Sequence, residues 1–365
     1  LVATDYLNST SVTAKAGVLI DLPRINYDAN GENGALLLEP SRQQLIQFSE
    51  YFGDSYWTKN NVSVTDNAIT SPEGVDNACL LIENTATSTH EITKSFTNTL
   101  NADYCISIFA KANTRDSIRL SSSDGGFVYF NLATGEKGTE TNATGTIEPF
   151  NNGWYKCSVV FEALGTNGSA SIRIAESDGV TSYTGQNKSI YIFGIQYEAG
   201  SYVSSYIPNH GESGGVTRAA DEHNLSDITS LIGTTQGSWF LDWEIADSPT
   251  RDNSDIGFEL SSDDNRDELN FSVNANGEMR MFVRVDNTYN EKYATTNKSG
   301  KWCLVWNGTS LKLFQDGVEV YSDASVLVYN DYTTYEGVPN LQYKVKQILL
   351  FPTALTDAEC ISLTS

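Results

Sequence analysis

Short runs of alternating apolar and polar residues, punctuated every few positions by Asn, Gly, Asp and Ser, dominate this 365-residue chain. That pattern leaves almost no room for helix. Ser117-Ile118-Arg119-Leu120 and Ala170-Ser171-Ile172-Arg173-Ile174 show the logic. Successive side chains of a strand point to opposite faces, so Ile118, Leu120, Ile172 and Ile174 go to one side and Arg119, Ser171 and Arg173 to the other. A sheet of this kind has one apolar and one polar face, and the apolar face must be buried, here against a second sheet. The spacing of runs and turns is that of sandwiches and jelly rolls. The expected fold class is therefore all-β: two antiparallel β-sandwich (jelly-roll) domains with an extended N-terminal arm.

Two domains follow from length, because 365 residues exceed what one core usually serves. Residues 1–47 hold two short apolar stretches, Gly17 to Leu22 and Ala35 to Leu38, interrupted by Pro23, Gly31, Gly34 and Pro40, and read as the arm. Within it only Ser41 to Phe48 has the composition of a helical turn or two. Residues 48–209 are read as the first sandwich, with strands at Ala78 to Ile82, His90 to Phe96, Tyr104 to Ala112, Ser117 to Leu120, Phe127 to Leu132, Thr144 to Phe150, Trp154 to Ala163, Ala170 to Ala175 and Ser189 to Tyr197. Gly211, Gly214 and Gly215 mark a hinge at 210–220. Residues 221–365 repeat the β pattern, with Asp316-Gly317 as a two-residue hairpin turn and Thr356 and Glu359 as the capping box of a short helix.

With 46 acidic against 23 basic residues, the formal charge of −23 repels phosphate backbones, so nucleic-acid binding is not expected. The five cysteines, Cys79, Cys105, Cys157, Cys303 and Cys360, show no C-x-x-C spacing. Those at 79, 105 and 303 lie in apolar strand-like runs, where a thiol behaves as a small hydrophobe. Reduced cysteines fit assembly in a bacterial cytoplasm. No apolar run approaches the roughly 20 residues that span a bilayer, so membrane insertion is not expected. The chain opens on Leu and can be a piece of a longer protein.

Several phrases carry a family resemblance. Gly34-Ala35-Leu36-Leu37-Leu38-Glu39-Pro40-Ser41-Arg42, Phe193-Gly194-Ile195-Gln196-Tyr197-Glu198-Ala199-Gly200, Ser205-Tyr206-Ile207-Pro208 and Thr217-Arg218-Ala219-Ala220-Asp221 resemble the head-fibre, tail-fibre and spike attachment proteins of bacteriophages, in which such phrases bracket a carbohydrate-binding-module-like jelly roll. The second half, through Gly300 to Trp306, Ser310 to Val320 and Gln347 to Glu359, resembles a concanavalin A-like or laminin-G-like domain. The resemblance implies a virion-surface protein that recognises a bacterial surface polysaccharide without cleaving it. It also implies contact with other virion proteins and a homo-oligomer, a trimer if the chain belongs to a fibre. Two rival readings stay open: a structural virion decoration or connector without sugar binding, and an accessory module or weak lyase of a secreted polysaccharide-degrading enzyme.

No catalytic constellation stands out. The three histidines, His90, His210 and His223, lie in polar or turn contexts, and no G-x-S-x-G elbow is present. Glycoside hydrolysis needs two opposed carboxylates, which sequence cannot pair. The chain is therefore not expected to be an enzyme. Sugar binding needs an aromatic face bordered by hydrogen-bonding side chains. Arg119, Tyr129 and Arg173 on the polar face, with Tyr183 in a loop, are the candidates, and each also reads as an ordinary surface residue. Trp57, Trp154 and the pairs Trp239/Trp243 and Trp302/Trp306 read as core. No cofactor is required. Structural calcium is the one with motif-like support, from Asp252, Asp255, Asp263 and Asp264 in oxygen-rich loops that read equally as solvated turns.

Overall fold

A computed structural model of the chain describes residues 25–26, 34–221, 223–233, 235–245, 255–262, 267–273, 278–285, 288–297, 299–308, 310–324, 332–337 and 343–365. The fold is nearly all β, with one α-helix, Asp357–Thr364, among the described residues. These residues form two compact units: one is Arg42–Arg218, and the other takes the residues up to Ser41 together with Ala219–Ser365. The segment read as an N-terminal arm is thus divided. Ala35–Leu38 adds to the second unit's sheet beside Tyr343–Phe351, with Leu36 opposite Val345. Arg42–Gln44 pairs with Val216–Arg218, so the two ends of the first unit lie side by side.

No helical turn forms over 41–48; Arg42–Gln44 is a strand. The reason is tertiary. Gln44 is fully buried and satisfies four backbone groups at once: its Nε2 donates to the carbonyls of Ile195 (2.9 Å) and Ile207 (3.2 Å), and its Oε1 accepts from the amides of Ile46 (3.1 Å) and Tyr197 (3.0 Å). Two residues earlier Arg42 lies 3.8 Å from Glu198 and stacks over the Tyr202 ring at 4.5 Å. Glu198 also accepts from the Ser204 amide (2.8 Å) and hydroxyl (2.6 Å). Gly200, whose φ of 146° is a conformation that side chains with a Cβ rarely adopt, packs against the Arg42 guanidinium. The phrases around Arg42, Gln196, Tyr206 and Arg218 therefore build one polar clasp that closes the first unit.

The first unit is a sandwich. One sheet runs Glu136–Thr141, Phe127–Asn131, Ser117–Ser121, Asn167–Ala175, Thr87–Thr97, with Ser182–Thr184 and Thr58–Asn60 also on Thr87–Thr97. The other runs Thr144–Phe150, Trp154–Glu162, Asp103–Ala112, Ser189–Ala199, Ala78–Glu83, Val62–Ile69. Ile92, Ile118, Leu120, Val128, Phe130, Ile172 and Ile174 of the first meet Ile106, Ile108, Val159, Phe161, Ile190 and Ile192 of the second in one core. Trp57 joins that core. Trp154 is equally buried but on the opposite side of its sheet, in a smaller cluster with Ala78, Phe109 and Phe193 that Tyr206 of the clasp helps cover.

The second unit is also two packed sheets. Leu38, Trp239, Leu241, Trp243, Trp302, Leu304, Trp306, Leu311 and Leu313 of one sheet meet Phe258, Leu260, Leu269, Phe271, Met281, Val283 and Tyr335 of the other. Both tryptophan pairs thus share the buried face, as residues four apart in a strand must. Asp316 and Gly317 have φ of 47° and 81° and turn the hairpin Ser310–Gln315 into Val318–Asp323. The helix begins with the expected capping box, in which the Thr356 side chain accepts from the Glu359 amide and the Glu359 carboxylate accepts from the Thr356 amide. It covers Phe240, Cys303, Val305 and Phe314 on the outer side of the sheet.

Candidate functional site

The polar face of the first unit's sheet forms a groove of about 450 Å³, lined among others by Glu91, Thr93, Arg119, Ser121, Ser171 and Arg173. Strand register puts these side chains together. Tyr129, Arg119, Arg173, Glu91 and Asn60 stand directly opposite one another across five strands, and Phe127, Ser121, Ser171, Thr93 and Thr58 form the next row. The alternation that sends Ile118, Leu120, Ile172 and Ile174 into the core at 0% exposure obliges Arg119, Ser121, Ser171 and Arg173 to face outward. The Asp124-Gly125-Gly126 turn bounds the groove. A Cβ on Gly126 would lie 2.2 Å from the Thr141 carbonyl, so the close approach of these backbones depends on glycine.

The two arginines are held differently. Arg173 Nε donates to Glu91 Oε2, and the same carboxylate accepts from Ser171 Oγ at 3.1 Å and Asn60 Nδ2 at 3.4 Å. Arg119 makes no ion pair among the described residues. Its guanidinium carbon lies 4.1 Å from the Phe127 ring centroid and 5.9 Å from that of Tyr129, and the two rings meet edge to face at 5.7 Å. Burial, followed by the neighbouring positive charge of Arg173, pushes the Arg119 pKa below the ordinary guanidinium range. Its Nε is buried without a hydrogen-bond partner.

Of the four residues singled out for sugar binding, Arg119 and Arg173 line the groove, and Tyr129 belongs to their row beside Arg119 but is buried, at 5% exposure. Tyr183 is elsewhere. It lies not in a loop but in the strand Ser182–Thr184, buried, with its hydroxyl donating to Glu83 Oε2 at 2.5 Å and its ring under Arg115 at 4.7 Å. Burial first, and then that hydrogen bond to a carboxylate, raise the Tyr183 pKa far above the usual phenol range. Burial also acts to raise the Glu83 pKa, but Arg115, Tyr183 and the Gln186 amide outweigh it and hold the carboxyl below its ordinary range. Tyr183 is thus part of a structural staple, because its hydroxyl is committed to a buried carboxylate.

Phe127 and Glu91 were missed from sequence. Phe127 is two residues from Tyr129 in one strand and so shares its face, a signal that was present; Glu91 needed the cross-strand register. Of the calcium candidates, Asp252, Asp263 and Asp264 lie outside the described residues, and Asp255 opens the strand Asp255–Ser262 with its backbone opposite Val273. Among the described residues no group of three or more His, Cys, Asp or Glu side chains is placed to hold a metal ion.

Chemically, the groove offers two guanidinium groups, serine and threonine hydroxyls and an aromatic bed for Arg119. Glu91 is the only carboxylate lining it among the described residues, and it is engaged by Arg173.

No family model matches the chain, and no curated protein matches it. Among solved structures it is similar to the CBM40 module of the Ruminococcus gnavus IT-sialidase, solved with α2,3-sialyllactose, at 13% identity over 36% of this chain and 84% of that one, with a TM-score of 0.28. It is also similar to the tandem CBM22-1–CBM22-2 of Paenibacillus barcinonensis Xyn10C, at 10% identity over 86% and 99% of the two chains, with a TM-score of 0.27. The LG1–3 region of the laminin α2 chain is similar at 11% identity over 75% and 66%, with a TM-score of 0.25.

Proposed function

We propose that this protein is a non-catalytic glycan-recognition protein whose binding surface is the groove over Arg119, Ser121, Ser171 and Arg173. The observation that carries this reading is the groove's make-up: an open polar face on a hydrogen-bonded sheet, rich in hydroxyl and guanidinium donors that match sugar hydroxyls. Binding is favoured over cleavage because hydrolysis of a glycosidic bond uses two carboxyl groups across the bond, whereas among the described residues the one lining carboxylate, Glu91, is tied to Arg173. The resemblance of the clasp phrases to phage attachment proteins makes the virion surface the proposed place of action and a bacterial surface polysaccharide the proposed target. Weak single-site affinity would then be raised by several copies in a homo-oligomer, a trimer in a fibre.

A bacterial glycan array probed with the full chain tests this reading. Saccharide-dependent binding that Arg119→Met weakens, with no new reducing ends after overnight incubation, is the expected result. An array without any saccharide-dependent signal refutes it and leaves a connector role.

A further inference from the structure

Arg119 and Arg173 stand directly opposite each other on neighbouring strands of one sheet face. Like charges in that position repel, which costs stability unless an opposite charge lies between or beside them. One carboxylate, Glu91, is present, and it sits across from Arg173 on the far side from Arg119. The row therefore carries one positive charge in excess, within a chain whose formal charge is −23.

The excess is localised on Arg119, whose guanidinium carbon lies 4.1 Å from the Phe127 ring centroid, whose buried Nε has no hydrogen-bond partner, and whose pKa is lowered by burial and by Arg173. Buried donors are normally satisfied, and an arginine fork is shaped for a planar or tetrahedral oxyanion. Ser121 on the same strand and Ser171 on the next, both on the same face, suit the hydroxyls of the ring that would carry such a group.

Resting on the glycan-binding reading, we infer that the groove selects a saccharide bearing one anionic group, a carboxylate or a sulfate ester, which Arg119 receives. The chain's overall negative charge restricts this to an isolated acidic sugar among neutral ones. Screening over about 8 Å at physiological salt lets one anion approach a local cation, whereas a continuous polyanion meets the whole acidic surface.

The test uses two matched series of trisaccharides, gluco and galacto, each on a lactose core with a terminal hexose that differs only at C6: hydroxyl, carboxylate or sulfate ester. Binding of the full chain and of Arg119→Met is measured by calorimetry at two salt concentrations, with the urea midpoint of each variant confirming that it is folded. An acidic cap should bind at least about ten-fold tighter than the neutral cap, the size of one charge-assisted hydrogen bond. Arg119→Met should weaken binding of the acidic caps far more than of the neutral cap, so that the preference disappears. Carboxylate against sulfate then identifies which anion the fork prefers. Equal binding of acidic and neutral caps, or a preference that survives Arg119→Met, overturns the inference while glycan recognition stands. Binding of no cap in either series overturns it too, and an array that is also blank removes the parent reading with it.

Discussion

Replacing Gln44 by Ala should unlatch the first unit. In the native protein its side chain satisfies two buried amides and two buried carbonyls drawn from three separate stretches of chain. Each such hydrogen bond contributes about 1 kcal/mol net, and a buried group left without a partner costs at least as much, so the four together amount to roughly 4 kcal/mol. With a urea m-value of about 2 kcal/mol/M, the unfolding midpoint of the first unit falls by about 2 M. Hydrogen exchange followed by mass spectrometry across a urea series, read on peptides covering residues 42–48 and 190–208 of the full chain, assigns the transition to that unit. The exposed neighbour Gln43, with one side-chain bond to the Gly214 carbonyl, is the control, and Gln43→Ala should stay within about 0.5 kcal/mol of wild type. A Gln44→Ala midpoint within about 0.3 M of wild type would refute the clasp as the element that closes the unit.

Two further outcomes follow from buried charges. Arg115→Met strands the Glu83 carboxylate, and the loss of one partner of a buried pair costs about 3–5 kcal/mol near pH 7. Because the folded pKa of Glu83 is depressed, its stabilising contribution is complete above the unfolded carboxylate value and disappears as pH falls through the folded one. The Tm deficit of Arg115→Met should therefore shrink between pH 7 and pH 3, and a deficit independent of pH contradicts the assignment. Glu259 is the opposite case, its pKa lifted to about 7 by burial and then by the negative charge of Glu268. The folded state holds a proton that the unfolded state has released, so stability is lost as pH rises from the ordinary carboxylate range to about 7. Glu259→Gln should raise the Tm of the second unit by a few degrees at pH 8 and leave it unchanged at pH 4, as read by differential scanning calorimetry.

Local periodicity made much of this fold legible. The strands Thr144–Phe150, Glu268–Val273, Met279–Val285 and Tyr343–Phe351 coincide with runs of alternation or continuous apolar character, and the capped helix and the Asp316-Gly317 turn follow from fixed local chemistry. Strands without that signal were not seen. Glu136–Thr141 and Thr288–Thr295 are edge strands of largely polar sequence, held in place by pairing with an apolar neighbour. The helical reading of residues 41–48 failed because Gln44 is recruited by backbone more than 150 positions away, a contact no local window contains. At the groove, alternation alone separated Arg119 and Arg173 from the core. Their adjacency, and the engagement of one but not the other by Glu91, came from register. Tyr183 misled because a Thr-Ser-Tyr-Thr-Gly stretch has the composition of a loop, while the buried Glu83 that captures its hydroxyl is 100 residues distant.

Glycan binding is assigned to the polar face of the first sandwich. Its most direct test is a crystal structure of the full chain soaked with the tightest saccharide from the array. The expected electron density shows a sugar seated over Ser121 and Ser171 with its acidic group on Arg119. A sugar bound on the second unit, with the groove unchanged, would contradict it.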